Sequence, residues 1–211
     1  MGLFGNGKSR QEQIAELEAK VQRLEKELDS LRAERTELQE LSHHQELDRE
    51  LVLRVVEALK PGMDVKALGR AFCETVFRPL ELASFYIATI DRERGIMSFP
   101  TYHEGGALRV YADRDYQAEA GLTGKTVESG RPLYVRSAEE GLNRGAVFSA
   151  AEQVSGLVPQ SWYGVPFGFG DRCYGLVSYQ CFQKDGFNES VRRLMDALTV
   201  ILALHFELAR R

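Results

Sequence analysis

From Gln11 to Lys60 the chain carries neither Pro nor Gly, and apolar residues return every three or four positions until Pro61-Gly62 ends the run. The pattern predicts one helix of about fifty residues, roughly 75 Å long at 1.5 Å per residue. Ile14, Val21 and Leu28 occupy the a positions of a strict heptad, and Leu17, Leu24, Leu31 and Leu38 the d positions. Mostly β-branched residues at a with Leu at every d favour a parallel two-stranded coiled coil. The flanking charges agree: Lys20 at g faces Glu25 at e of a parallel partner, and Glu27 faces Arg32. A seam confined to a and d, charged on every other face, suits a partner helix better than the surface of the chain's own domain.

The heptad fails after Leu38, where Ser42 and Gln45 take the next a and d positions. The apolar stripe then widens through Leu47, Leu51, Val52, Val55, Val56 and Leu59, the pattern of a helix packed on a globular domain. Three parts are therefore expected: residues 1–10 a flexible tail, 11–45 a parallel coiled coil, and 46–211 a folded domain. His43 and His44 fall at the junction, about 100° apart on a helix, and read as solvated side chains rather than a metal site.

Beyond Pro61 the pattern alternates between two periods. Asp64–Leu80 reads as a helix with Val65, Leu68, Phe72 and Val76 on one face. Ser84–Ile90 and Gly95–Tyr102 are short apolar runs joined by Asp91–Gly95, a hairpin pattern. Residues 103–120 are polar and assign to no element, Gly121–Gly130 reads as a short helix, and Pro132–Val135 as a strand. Residues 137–160 form a long segment with a short helix. Ser161–Phe167 and Cys173–Phe182 make a second hairpin, and Glu189–Arg210 a closing helix. Helices at both ends of hairpin-linked strands predict an α+β domain with a mostly antiparallel sheet.

Composition narrows the function classes. An apolar fraction of 44%, with eleven Phe and eight Tyr, builds a core and excludes wholesale disorder. No run of eighteen apolar residues offers a membrane span, and Met1–Arg10 lacks the apolar stretch of a secretory signal. Three cysteines fit a reducing cytoplasm better than a disulfide framework, so a soluble cytoplasmic protein is expected. Residues 10–50 hold twelve acids against seven bases, while residues 51–211 hold nineteen of each sign. A net basic domain is missing, and with it the electrostatic footprint of nucleic-acid binding.

Four segments carry a family resemblance. Gly121-Leu122-Thr123-Gly124, followed by Gly130, Pro132 and Val135, is similar to the G-L-x-G-x-x-x-x-x-G-x-P-x-x-V stretch of GAF domains. Ser161–Phe167, with Val165-Pro166, resembles their S-x-x-x-V-P strand. Asp171–Tyr179 resembles the strand that follows it, and Phe187-Asn188-Glu189 the start of their last helix. The resemblance covers about residues 46–209. It implies a GAF-like, PAS-related antiparallel sheet flanked by helices, with the first and last helices on one face and a ligand pocket on the other. Such domains bind cyclic nucleotides, tetrapyrroles, haem and small metabolites, so the cofactor is left unnamed. GAF-like free methionine sulfoxide reductases carry cysteines in the central strands and loop, and phytochrome-type domains attach bilin through a loop cysteine. Residues 103–160 contain no cysteine, which argues against both.

Other motifs yield simpler readings. Gly2-Leu3-Phe4-Gly5-Asn6-Gly7-Lys8-Ser9 spells a complete G-x-x-x-x-G-K-S phosphate loop, but a first glycine at residue 2 leaves no preceding strand to fix its amides. Cys173 and Cys181 are expected on one face of a strand about 26 Å apart, too far to pair. Cys73 beside Phe72 reads as a core residue. His205 falls among Leu194, Leu198, Ile201 and Leu208, as a core or dimer-interface histidine.

The stacking and hydrogen-bonding groups on strands and loops give the candidate ligand site: Tyr102, His103, Phe148, Ser149, Gln160 and Trp162. Alternation puts Ser161 and Trp162 on opposite sheet faces, so only one can join a pocket wall. With no catalytic constellation, the expected function is a non-catalytic dimeric sensor or adaptor. Arg211 directly follows the last helix, so output is expected to pass to a separate signalling protein. The alternatives are a ligand-free interaction scaffold and a redox enzyme using Cys173 or Cys181.

The seam makes a direct prediction. A chain shortened to begin near residue 46 loses most of its dimerisation, and Leu24→Lys, which sets two charges in one d layer, weakens the dimer strongly. Sedimentation that finds both variants still dimeric moves the interface to the domain's own helices, including the Leu198/Ile201/His205 stripe.

Overall fold

The computed structural model describes residues 9–116, 121–147, 158–170 and 172–210, so most of the expected tail and its phosphate-loop match lie outside the described residues. The chain divides into two compact units at Arg49–Glu50. Helix α1 (Arg10–Ala58) opens on a reciprocal cap. The Glu12 amide donates to Ser9 Oγ at 3.3 Å, and the Ser9 amide donates to the Glu12 carboxylate at 2.7 Å. This Ser-x-x-Glu box satisfies two of the amides that a helix start leaves without partners. The seven seam residues, Ile14 to Leu38, are all exposed in the single chain.

The second unit begins in the last turns of α1. Helix α2 (Val65–Val76) follows, capped by Asp64, whose carboxylate accepts from the Ala67 amide at 2.8 Å. Then come β1 (Ser84–Asp91), β2 (Ile96–Glu104), β3 (Ala107–Leu108), β4 (Arg114–Asp115) and α3 (Gly121–Ser129). The remaining elements are β5 (Leu133–Val135), α4 (Ala138–Asn143), β6 (Ser161–Phe169), β7 (Arg172–Cys181) and α5 (Glu189–Arg210). Among the described residues the strands make one sheet in the order β3-β2-β1-β7-β6-β5, with β4 also paired to β2 and every pairing antiparallel. The polar stretch that assigned to nothing in the sequence therefore contributes two short edge pieces, β3 and β4.

Alternation splits the sheet into two faces. Phe85, Ile87, Tyr163, Val165, Val177 and Tyr179 form one core with Leu51 and Val55 of α1, Leu59 just after it, Phe72 and Val76 of α2, and Leu194, Leu198, Leu202 and Phe206 of α5. Three tyrosines tie α5 to this face. Tyr163 donates to Asp196 at 2.8 Å, Tyr179 shares a 2.8 Å hydrogen bond with Thr199, and Tyr174 donates to Glu207. Burial pushes the Tyr179 and Tyr163 phenols far above their ordinary range, so both stay protonated. The opposite face carries a smaller cluster: Leu122 and Val127 of α3, Val135, Trp162 and Leu176.

Two irregularities break strict alternation. Between β1 and β2 the register moves from Ile87↔Thr101 to Thr89↔Ser98, so Ala88 faces two residues, Phe99 and Pro100. Pro100 lacks an amide hydrogen, and a bulge accommodates that loss. Between β6 and β7, Phe167 pairs with Gly175 but Gly168 with Cys173, leaving Tyr174 extra. The bulge presses β7 against β1: a Cβ on Gly175 would lie 1.9 Å from the Ala88 carbonyl oxygen, so only glycine fits. It also corrects the expectation that Cys173 and Cys181 share a face. Cys181 sits in the helix-side core, whereas Cys173 packs against the Trp162 and Leu176 cluster, because the inserted residue inverts the parity.

Phe72 is fully buried between α2 and the sheet. Phe72→Ala is expected to cost about 3–5 kcal/mol through lost burial and the cavity left behind. Urea unfolding followed by circular dichroism measures this.

Candidate functional site

The face away from α2 and α5 holds a cavity of about 90 Å³ under α3 and the start of α4. Strands β1 and β2 supply Tyr86, Met97, Phe99 and Tyr102, β4 supplies Arg114, and β6 and β7 supply Trp162 and Gln180. The first turn of α3 adds Gly121, Leu122 and Thr123, and Pro159 and Gln160 close another side.

Each side chain reaches the cavity for a local reason. Tyr86 and Tyr102 are cross-strand partners, with rings stacked 5.2 Å apart and 9° from parallel. Tyr111 continues the stack 4.0 Å beyond Tyr102. The Tyr86 hydroxyl meets Thr123 Oγ1 at 2.9 Å, fixing the first turn of α3 to the sheet. The β2 bulge returns Phe99 and Met97 to the same side as Tyr102. Trp162 lies flat along β6 because Gly164, two residues on, has no side chain; a Cβ there would come within 2.0 Å of the indole. The Arg114 guanidinium lies 5.6 Å from the centre of Phe99 and 5.7 Å from that of Tyr111, within cation–π range. Gln180 pairs across the strands with Trp162, and its amide donates to Ser178 Oγ at 3.2 Å.

The structure brings Tyr102, Gln160 and Trp162 together on this wall. Ser161 faces the other way, donating to the Gln183 carbonyl and accepting from the Gly186 amide at 3.0 Å. Phe148 and Ser149 lie outside the described residues. His103 does not belong to the wall. As the strand neighbour of Tyr102 it points to the helix side, its ring centre 3.8 Å from that of Phe77, with Nδ1 buried and without a hydrogen bond. Burial lowers its pKa below the ordinary 6.5. Tyr86, Phe99, Thr123, Gln180 and Arg114 were not singled out from the sequence. The signal for Tyr86 was its place opposite Tyr102 in the first hairpin, but counting from the turn misses the bulge and inverts the face.

The cysteines lie outside the described cavity wall. Burial, and then the Glu74 charge, push the Cys73 thiol up to about 12, and burial also raises that of Cys173. Thiols held protonated are weak nucleophiles. Among the described residues no cluster of His, Cys, Asp and Glu could hold a metal ion, and no helix is long and apolar enough to cross a membrane.

This architecture is the GAF fold. The chain is similar to the GAF domain of the phosphoenolpyruvate-protein phosphotransferase of Acinetobacter, at 13% identity and a TM-score of 0.64 over 76% of this chain and 93% of that one. The corresponding domain from Coxiella burnetii superposes at 14% identity and a TM-score of 0.62, over 77% and 94% of the two chains. The free methionine-R-sulfoxide reductase of Neisseria meningitidis, solved with its substrate, is equally similar, at 16% identity and a TM-score of 0.63 over 77% and 90%. No protein-family model matches the chain, and no curated protein does either. At these identities the likeness establishes the fold.

His103 predicts a pH dependence. Its folded pKa lies below the unfolded value of about 6.5, so the unfolded chain binds the proton first as pH falls. Its contribution to stability is complete above that value and is lost progressively on acidification below it. Urea unfolding between pH 7.5 and 5 should show this decline, and His103→Phe should flatten it.

Proposed function

We propose that the protein is a non-catalytic sensor: a parallel homodimer whose GAF-fold domain binds a small molecule and passes the signal to a separate protein partner. The observation that carries this reading is the cavity, an aromatic wall with a few amide and hydroxyl groups and no thiol among its described residues. Small-molecule sites have that composition. The exposed apolar seam of α1 supports the dimer, since a stripe from Ile14 to Leu38 open to water is costly unless covered. The net charge of −4 favours no nucleic-acid partner, and three unpaired cysteines suit the cytoplasm.

The sheet offers a route from ligand to helix. Trp162 and Gln180 face the cavity, and their strand neighbours Tyr163 and Tyr179 hold α5 through Asp196 and Thr199. A ligand that shifts β6 or β7 by a fraction of an ångström moves both groups of residues, because they share one backbone. Differential affinity for two positions of α5 would then set the output.

A redox enzyme is the second reading, favoured by the likeness to the Neisseria reductase. Native mass spectrometry of freshly purified full-length protein separates the readings, together with an assay on methionine-R-sulfoxide. The sensor reading expects a dimer mass carrying a bound small molecule and no turnover. Turnover that disappears in Cys173→Ser or Cys181→Ser establishes the enzyme instead. A bare dimer that no small molecule stabilises points to an interaction scaffold.

A further inference from the structure

The apolar seam of α1, from Ile14 to Leu38, stands open to water in the first compact unit, with Leu17 62% exposed. Arg35 interrupts this seam at an a position, and Glu34 precedes it at g. Both side chains are exposed, and within the chain neither has a hydrogen bond or an ion pair among the described residues. The same holds for Lys20, Glu25 and Glu27, which flank the seam. Arg32 meets Asp29 at 3.4 Å, an exposed pair that leaves most of the guanidinium donors open.

These charges discriminate between alignments of two copies. In a parallel, unslipped pair each g residue lies beside the e residue five positions on in the other copy. The contacts are then Gln13–Glu18, Lys20–Glu25, Glu27–Arg32 and Glu34–Gln39, with no like charges among them. A slip of one heptad sets Lys20 against Arg32 and Glu27 against Glu25, and it places one Arg35 opposite Leu28. A fully overlapped antiparallel pair sets Glu25 against Glu25 and Glu27 against Glu27, with Arg35 opposite Leu17. Exposed pairs are weak singly, so the polar layer inside the seam matters more. On the facing helix a g residue flanks the a position that follows it. Of the three alignments, the unslipped parallel one alone brings each Arg35 beside Glu34 of the other copy, and the layer then carries no net charge.

We infer that the seam's occupant is a second copy of this chain, parallel and unslipped, and that reciprocal Arg35–Glu34 contacts set its register. The inference rests on the dimer in the proposed function and adds its direction, its alignment and the residues that fix them. A charged layer is less stabilising than an apolar one, but it penalises alignments that leave the guanidinium unmatched.

The test uses the full-length protein carrying Leu24→Cys, Leu28→Cys or Leu31→Cys, alone and in mixtures, oxidised in a glutathione buffer. Linked peptides are mapped by mass spectrometry after proteolysis, which separates them from links to the native Cys73, Cys173 and Cys181. Leu24 is a d residue and meets its own counterpart in the unslipped parallel pair. The expected result is a link from position 24 to position 24, at least tenfold in excess of any link formed in the mixtures. A dominant link from position 24 to position 31 marks a slip, and one from 24 to 28 an antiparallel pair. Either overturns the inference and leaves the dimer reading standing. With leucine kept at all three positions, Arg35→Glu should weaken dimerisation at least tenfold in sedimentation equilibrium, and adding Glu34→Arg should restore it. Dimerisation unchanged in Arg35→Glu, or not regained in the double variant, overturns the inference, as does a trimer or tetramer. Unaltered protein that sediments as a monomer overturns the dimer reading itself.

Discussion

Successive residues of a strand face opposite sides of a sheet, so each strand can send only every second side chain toward the cavity. In this domain that constraint is modified twice, and the first modification shapes the cavity wall. The bulge opposite Ala88 turns Phe99 and Met97 to the side of Tyr102, assembling an aromatic wall from residues that strict alternation would divide. The bulge at Tyr174 sends that tyrosine to Glu207 on α5 and Cys173 to the cluster around Trp162. Pro100 and Gly175 are the residues that allow the two departures, one by lacking a donor and the other by lacking a side chain.

The same alternation joins the two faces mechanically. Cavity residues and helix-binding residues are immediate neighbours on β6 and β7, so the sheet is a thin layer between the cavity and α5. The polar ties from Tyr163 and Tyr179 are partly or fully buried, where a hydrogen bond lost to displacement leaves costly unsatisfied groups. A small movement of the strands is therefore more easily absorbed by a shift of α5 than by breaking those bonds. His103 illustrates the other side of this division. One position from Tyr102, it packs on Phe77 in the helix layer and affects stability with pH rather than ligand chemistry.

The GAF domain of the Acinetobacter phosphotransferase and the Neisseria reductase are equally similar to this chain in backbone, so the fold does not choose a function. Burial raises the thiol pKa of Cys73 and Cys173, and no cysteine lies on the described wall, which presents rings, amides and one guanidinium. That set can bind and orient a small molecule.

Elements whose pattern is local were legible in the sequence. The heptad from Ile14 to Leu38 depends only on spacing along one helix, and the two hairpins, the closing helix and the GAF-like spelling around Gly121 and Ser161 are likewise local. Trp162 and Ser161 could be set on opposite faces because β6 is regular over those two positions. The capping box of Ser9 and Glu12 was also local, though it was not read. Tertiary structure alone decided the rest. Tyr86 and Phe99 join Tyr102 only through a bulge whose position depends on pairing between β1 and β2, and Arg114 enters because β4 docks on Met97 within a polar stretch that has no periodicity of its own. His103 was misplaced because β2 continues past Tyr102 to Glu104, where alternation turns neighbours to opposite faces, and Cys173 was set on the wrong face because a bulge shifts the register between β6 and β7. Which face a strand residue occupies is a property of the register between strands, and register is fixed by contacts distant in the chain rather than by the residues themselves.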